Sequence, residues 1–311
     1  NHDSATGAVI MKYWKIIIAW LLIIGQPGVL FCDHIMMCTF FGVGHSEVFH
    51  VDDNGIITHQ YDLTLTDKSE PSHICFSPDG RWGLVGYDGY SGNPDTQITT
   101  ILNIDSKKII NIQATIKNAY DYFVAISPDS KYGVYGGNLQ TLRYYTDSSY
   151  DIIPSSFNTY ISLWYGGFSS LNGNIYTDDP YGGKIQEFRL TDDGKTTPTG
   201  VVADISPATG YKGVFVSPDG KTVIAISYID DHVITGLKVY KEGGLSITQQ
   251  FEPANSNPKH IDFTPDSKYA IISFNDSSGP NLASYIINEN SELTLVHGID
   301  LPNDPGEDMA V

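Results

Sequence analysis

The chain has 311 residues, of which 41% are hydrophobic and 17% are charged, so it can bury the core of one large domain or of two ordinary ones. Its formal net charge of −18 at pH 7 repels phosphate backbones, which argues against a nucleic-acid partner. The 20 tyrosines and 30 glycines favour strands and tight turns over helices.

The N-terminal segment has the layout of a secretory signal peptide. A basic stretch at 11–15 precedes an unbroken apolar run at 16–24, and Gly-Gln-Pro-Gly follows. We therefore predict that residues 1–10 lie upstream of the natural start, that 11–32 are a signal peptide and that 33–311 are the mature domain. The protein is then secreted, extracellular or periplasmic. The alternative is an uncleaved segment that anchors it in a membrane, although the apolar stretch is short for a span.

Removal of a signal peptide would leave two cysteines, Cys38 and Cys75. Two cysteines do not make a disulfide framework, and their spacing is not that of a metal site. We predict two buried thiols in strands. A single disulfide between them in an oxidising compartment is the alternative.

One short motif recurs along the chain. Its four clear copies are residues 76–80 (FSPDG), 126–130 (ISPDS), 216–220 (VSPDG) and 263–267 (FTPDS), and a degenerate copy is 168–173 (FSSLNG). Successive copies are 42 to 50 residues apart. A period of this size is typical of propellers and other repeat architectures, so the whole fold is expected to follow from it.

Each copy of the motif predicts a β-turn between two strands. Pro presets the backbone, Asp caps the turn, and Gly or Ser tolerates its tight end. An apolar strand follows each turn, and two further strands complete the unit, joined by hairpin turns such as 192–194 and 242–244. Four antiparallel strands in about 45 residues make one blade of a β-propeller.

The two ends of the chain bear on the number of blades. Residues 36–44, 47–52 and 56–64 look like the last three strands of a blade that lacks its first strand. The segment 305–311 looks like the stretch before a repeat turn, so it could supply that innermost strand and close a six-bladed ring. Alternatively, the six visible blades belong to a truncated seven-bladed propeller, which we favour. The predicted fold class is an all-β propeller of four-stranded blades, six of them visible.

The repeat resembles that of the lactonase-like and YVTN-type β-propellers. The resemblance rests on residues 258–266 (PKHIDFTPD) and 71–80 (PSHICFSPDG), and it covers about residues 36–311. The same repeat pattern occurs in WD40-like and TolB-type propellers, but the Trp-Asp dipeptide of WD40 blades is absent from this sequence. The family includes gluconolactone-type hydrolases, surface-layer proteins and binding proteins. No catalytic motif matches residue by residue, so no active site is carried over.

Candidate site residues follow from position in the ring. In a propeller, the residues that precede the repeat turns meet at one mouth of the central channel. The ones we single out are His73, Asp121, Trp164, Tyr211 and His260. Two histidines at equivalent positions suggest acid–base or metal chemistry. We favour the other interpretation, that they are hydrogen-bonded strand-start residues without a catalytic role.

Loops between the second and third strands of the blades are expected at the same mouth. Their candidate binding residues are Tyr90, Asp178, Asp179, Tyr181, Asp230 and Asp231. Aspartate supplies charge or oxygen ligands, and tyrosine supplies a flat apolar surface, so this rim would suit Ca²⁺, a basic partner or a carbohydrate. The alternative is that aspartate is there only because it favours turns.

These observations favour a ligand- or partner-binding scaffold over an enzyme. The partner is an unknown protein, a carbohydrate or a small molecule, and Ca²⁺ is the one cofactor suggested. The first alternative is a lactonase-type hydrolase, acting on a lactone or a sugar-derived ester, in which histidines and acidic residues at the channel activate water. The second is a structural protein of the surface-layer kind.

Overall fold

The structure is a computed structural model. It describes residues 16–20, 34–40, 45–51, 57–65, 70–88, 98–117, 123–155, 166–179, 183–205, 211–227, 233–253, 258–264, 266–274 and 282–299. The regular structure in these ranges consists of 24 strands in six four-stranded antiparallel sheets, as the repeat predicted. Nowhere in these ranges is there a helix long and apolar enough to cross a membrane.

Four consecutive strands make up each sheet. The first two sheets consist of β1 (Ile16–Trp20), β2 (His34–Phe40), β3 (His45–Val51) and β4 (Ile57–Thr64), and of β5 (Glu70–Phe76), β6 (Trp82–Asp88), β7 (Ile98–Ile104) and β8 (Ile110–Lys117). The third and fourth consist of β9 (Val124–Ile126), β10 (Tyr132–Tyr135), β11 (Gln140–Tyr144) and β12 (Tyr150–Ile153), and of β13 (Gly166–Phe168), β14 (Ile175–Asp179), β15 (Lys184–Leu190) and β16 (Thr196–Asp204). The last two consist of β17 (Tyr211–Val216), β18 (Thr222–Ser227), β19 (Ile234–Val239) and β20 (Leu245–Phe251), and of β21 (Pro258–Phe263), β22 (Tyr269–Phe274), β23 (Leu282–Ile287) and β24 (Leu293–Ile299).

The sheets are the blades of a propeller. Strand order within every sheet follows the chain, and the first strands of neighbouring sheets contact one another, as β5 contacts β9 and β13 contacts β17. These first strands therefore line the centre, and the fourth strands form the perimeter.

The hydrophobic core lies between successive sheets. Between the fourth and fifth sheets, for example, Tyr176 and Ile185 pack against Val214, Val223 and Leu237, all of them at most 2% exposed. Alternate residues of a strand point to opposite faces, so each sheet contributes one side to the core before it and the other to the core after it.

The first sheet differs from the prediction in its innermost strand. Residues 34–64 form three strands of this sheet, as expected. Its innermost strand is β1, which pairs with β2 from Ile16↔Phe40 to Trp20↔Met36. The segment 305–311, predicted for this place, lies outside the described residues. Because β1 falls within the predicted signal peptide, cleavage after Cys32 would remove this strand from the mature protein.

The repeat turns have the predicted geometry, and the same hydrogen bonds recur in them. The Ser77 hydroxyl donates to Asp79 Oδ1 at 2.7 Å and accepts from the Trp82 N–H at 3.1 Å. Ser127 and Ser217 repeat both bonds in the third and fifth sheets. One buried hydroxyl thus satisfies the backbone at the start of each second strand.

The turns of neighbouring sheets are also bonded to each other. The Ser130 hydroxyl accepts from the Asp79 N–H at 3.0 Å, and the Ser267 hydroxyl accepts from the Asp219 N–H at 3.0 Å. In the degenerate copy, Ser169 donates to the Gly220 carbonyl at 2.7 Å. We call this end of the ring the turn face. The opposite end, where β5, β17 and β21 begin and β6, β14 and β18 end, is the mouth face.

Candidate functional site at the mouth face

Five of the eleven predicted site residues lie in the described part of the chain, all at the mouth face. They are His73 on β5, Asp178 and Asp179 at the end of β14, Tyr211 at the start of β17 and His260 on β21. The other six lie outside the described residues: Tyr90, Asp121, Trp164, Tyr181, Asp230 and Asp231. Their roles, like that of Ca²⁺, stay predictions.

The two histidines occupy equivalent places in the second and sixth sheets. Each follows a β-bulge in the first strand, and each is half-buried. His73 lies opposite Gly86, and His260 lies opposite Ser273. The His260 ring meets Phe215 of the fifth sheet edge-on, with 4.9 Å between ring centroids. Packing thus fixes the orientation of His260, and the bulges turn the strand starts locally away from the regular pleat.

Asp178 is not in a rim loop, so its predicted placement is wrong. It is part of β14, pairs with Ile185 of β15 and is 0% exposed. The sequence Asp-Asp-Pro is typical of a turn, but here the ladder continues through Asp179, opposite Lys184, before the strand ends. Because Tyr176 and Ile185 face the fifth sheet, Asp178 faces it as well.

A second buried ionisable side chain at this face is Lys259. It is the extra residue of the β21 bulge and is 9% exposed. Lys259 was not among the candidates predicted from the sequence, although it directly precedes His260. The signal was available, because a lysine next to a proline at the start of an inner strand is out of place in a regular buried ladder.

Ionisable groups at the turn face have a different character. Asp79, Asp129 and Asp219 pair with Arg81, Lys131 and Lys221 of their own turns at 2.6 to 3.1 Å, and these side chains are 33–68% exposed. In the sixth sheet, a hydrogen bond from the Thr264 hydroxyl and a second one from the Lys268 backbone N–H lower the pKa of Asp266 below its usual value. Each of these charged side chains therefore interacts within its own turn.

The described residues do not assemble a metal centre or a reactive thiol. Among them, no three His, Cys, Asp or Glu side chains are arranged to hold a metal ion. Cys75 is a free, half-buried thiol, and burial raises its pKa to about 12, so it is protonated at neutral pH. Nucleophilic chemistry by Cys75 is therefore disfavoured.

Comparison with solved structures finds the same ring in several proteins. The chain resembles the periplasmic gluconolactonase of Pseudomonas aeruginosa (15% identity, TM-score 0.71, covering 94% of this chain and 86% of that one). It resembles virginiamycin B lyase from Staphylococcus aureus (15% identity, TM-score 0.58, covering 95% and 92%) and the β-propeller domain of Cps50 (Swd1) from Myceliophteria thermophila (11% identity, TM-score 0.61, covering 86% and 83%).

No protein-family model and no curated protein sequence matches the chain. At these identities the structural likeness concerns the fold alone. On that level it confirms the resemblance seen in the repeat: the chain has the fold of the lactonase-like β-propeller repeat proteins.

Proposed function

We propose that the protein binds a small polar ligand at the mouth face. The observation that carries this proposal is the burial of ionisable side chains there. Asp178 is 0% and Lys259 9% exposed, and His73 and His260 are half-buried. Burying a charged group costs free energy, and groups of this kind concentrate at functional sites.

The chemistry of these side chains suits an oxygen-rich, uncharged ligand. A carboxylate accepts hydrogen bonds from hydroxyl groups, a lysine ammonium donates to carbonyl or hydroxyl oxygen, and histidine does either. A sugar-derived lactone offers both kinds of oxygen. The similarity to a gluconolactonase supports this class of ligand as the first to test.

The test is calorimetric titration with glucono-δ-lactone. Asp178→Asn should weaken binding at least tenfold, and thermal unfolding checks that the variant is folded. The matched control is Glu187→Gln, since Glu187 is also buried (2% exposed) but lies on β15 away from the mouth face. Equal affinity of Asp178→Asn and the wild type, or no binding by the wild type, would contradict the proposal.

A second candidate function is hydrolysis of the lactone ring. A buried carboxylate and half-buried histidines at one face are groups that can act as general bases. In such a reaction the base removes a proton from water, the water oxygen bonds to the carbonyl carbon, and the ring C–O bond breaks as the ring oxygen gains a proton.

We expect the protein to bind lactones with little turnover, because the sequence shows neither a nucleophile–base pair nor a metal cluster. A pH-stat assay of glucono-δ-lactone, corrected for spontaneous hydrolysis, measures this. Efficient hydrolysis that His73→Ala or His260→Ala abolishes would contradict the binding proposal and show that the protein is a lactone hydrolase.

We also propose that the protein is exported by the segment at 11–32. The support is the basic-then-apolar sequence pattern. N-terminal sequencing of the exported protein should begin at or near Asp33. An N-terminus at Met11 in a membrane fraction would favour the anchored form.

A further inference from the structure

The mouth face buries a set of hydroxyl groups. Six Ser and Thr hydroxyls, on side chains that are 0% exposed, have no hydrogen-bond partner within the described part of the chain, and each lies within two residues of the mouth-face end of its strand. They are Ser46, Thr99, Thr141, Thr177, Ser227 and Ser273. At the turn face, the buried Ser77 and Ser217 instead donate to Asp79 and Asp219 at 2.7 and 2.8 Å. Since an unpaired buried hydroxyl costs free energy of folding, the six groups need an explanation other than folding.

Strand alternation shows which of these hydroxyls shares an interface with Asp178. Ala225 of β18 belongs to the core between the fourth and fifth sheets, so Ser227, two residues further on, points to the same side. Asp178 points into that interface from β14, and β14 contacts β17, the strand that pairs with β18. Ser227 and Asp178 therefore lie at the mouth-face end of the same interface.

The backbone fixes the place of Ser227. Its N–H donates to the Val233 carbonyl at 3.0 Å, across the connection between β18 and β19. Within the sheet it lies opposite Tyr211, the candidate ligand-binding residue at the start of β17. The hydroxyl thus stands on a rigid strand end, which suits a group that has to meet a ligand at a defined position.

Other contacts close this interface on two sides. At the turn face, the Ser169 hydroxyl donates to the Gly220 carbonyl at 2.7 Å. At the perimeter, the Gln250 side chain of β20 donates to the Ile205 carbonyl beside β16 at 3.2 Å. The mouth face is therefore the side from which a ligand can reach the buried carboxylate and hydroxyl.

We propose that Ser227 binds the ligand together with Asp178, between the fourth and fifth sheets at the mouth face. This inference rests on the proposed function and narrows it to ligands with several hydroxyl groups. An ionised Asp178 only accepts hydrogen bonds, whereas the Ser227 hydroxyl donates one and accepts another. A ligand hydroxyl next to a carbonyl or ring oxygen satisfies both side chains. Because both are fully buried, binding has to part the two sheets slightly at this end.

The test is calorimetric titration of the wild type and of Ser227→Ala with glucono-δ-lactone. Ser227→Ala removes only the hydroxyl oxygen and should weaken binding about tenfold. The free variant should unfold at or above the temperature of the wild type, because it loses a buried polar group that has no partner in the described part of the chain. A lower unfolding temperature with unchanged affinity would show a purely structural role and overturn the proposal.

The matched control is Thr177→Val. Thr177 is adjacent to Asp178, is equally buried and likewise has no hydrogen-bond partner among the described residues. It points toward the third sheet, because Ile175 of the same strand packs in the core on that side. The affinity of Thr177→Val should stay within about twofold of the wild type.

A second probe, δ-valerolactone, has the same ring without hydroxyl groups and should bind to the wild type at least tenfold more weakly than glucono-δ-lactone. Equal affinity for the two lactones would overturn the proposal, as would equal weakening by Thr177→Val and Ser227→Ala. Unchanged affinity of Ser227→Ala alongside weakened binding by Asp178→Asn would overturn this inference alone. A wild type that does not bind glucono-δ-lactone would contradict both this inference and the proposed function.

Discussion

The turn face and the mouth face use polar side chains in opposite ways. At the turn face, Ser77 and Asp79 bond within one turn, and Ser130 connects that turn to its neighbour in the ring. At the mouth face, Asp178 is fully buried within β14, and Lys259 is buried in a bulge of β21 that recurs in β17 with Lys212 as its extra residue. The repeated turn residues of this chain therefore explain its folding, and the buried ionisable residues of the mouth face carry the proposed ligand site.

The same difference separates two buried carboxylates on neighbouring strands, Asp178 on β14 and Glu187 on β15. Glu187 on β15 accepts from the Tyr176 hydroxyl at 2.9 Å and from the Gly244 N–H of the next hairpin at 2.7 Å. Burial raises the pKa of Tyr176, so its phenol stays protonated and remains a donor. Glu187 thus has a structural explanation that involves no ligand. Substitutions toward the turn face are therefore expected to change stability and to leave lactone binding intact.

The largest effect is expected from Trp82→Ala. Trp82 is 0% exposed, stacks on Tyr144 with 4.8 Å between ring centroids, and donates its Nε1–H to the Ser130 carbonyl at 2.9 Å. Removing such a side chain costs about 3–5 kcal/mol. Urea denaturation measures the loss, and Ile112→Ala at an exposed perimeter position is the control, expected within about 1 kcal/mol of the wild type.

Glu187→Gln should reduce the free energy of unfolding by about 1–3 kcal/mol, because two donors lose a charged acceptor. Calorimetric binding of glucono-δ-lactone should be unchanged. Weakened binding in this variant would show that the two buried carboxylates do not have separate roles.

A smaller effect is expected at Ser130, which has a positive φ of 62° and accepts from the Asp79 N–H. Ser130→Ala loses the hydrogen bond and keeps the unfavourable backbone, so it should cost about 1 kcal/mol. Ser130→Gly loses the same bond but adopts this φ freely, so it should cost less than Ser130→Ala. Thermal unfolding of the pair distinguishes the two contributions, and the reverse order would show that the hydrogen bond contributes little.

The smallest effect is a pH dependence from the turn face. A hydrogen bond from Thr191, and then one from Lys195, lowers the pKa of Asp193 from 3.8 to about 2. Because the folded pKa lies below the unfolded one, this stabilisation is present above about pH 4 and is lost as pH falls through about 2. Asp193→Asn should make the acid unfolding curve shallower between these values, and an unchanged curve would contradict the assignment.

Much of the fold could be predicted because turn chemistry is local. Ser-Pro-Asp-Gly dictates its own geometry, so the turns at 77–80, 127–130 and 217–220 and the strands around them follow from sequence. The innermost strand of the first sheet could not be assigned this way. An apolar run such as 16–20 suits a signal peptide and a buried strand equally, and nothing local distinguishes them.

The candidate site was less predictable because it depends on where strands end. His73 and His260 could be paired from the repeat alone, and their equivalence is confirmed. Asp178 resembled a loop residue because its neighbours favour turns, yet ladder pairing with Ile185 extends the strand through it. The burial of Lys259 follows from the bulge in β21, which the sequence signals only through a lysine beside Pro258 at the start of an inner strand.

The environment of Trp82 has a practical consequence. Its indole belongs to the second sheet, while both its stacking partner Tyr144 and its hydrogen-bond acceptor, the Ser130 carbonyl, belong to the third. Any event that separates these two sheets breaks both contacts at once and exposes the ring to water. In a variant whose other three tryptophans are replaced by phenylalanine, the emission of Trp82 should therefore act as an intrinsic optical sensor of cohesion between these two blades, without an added label.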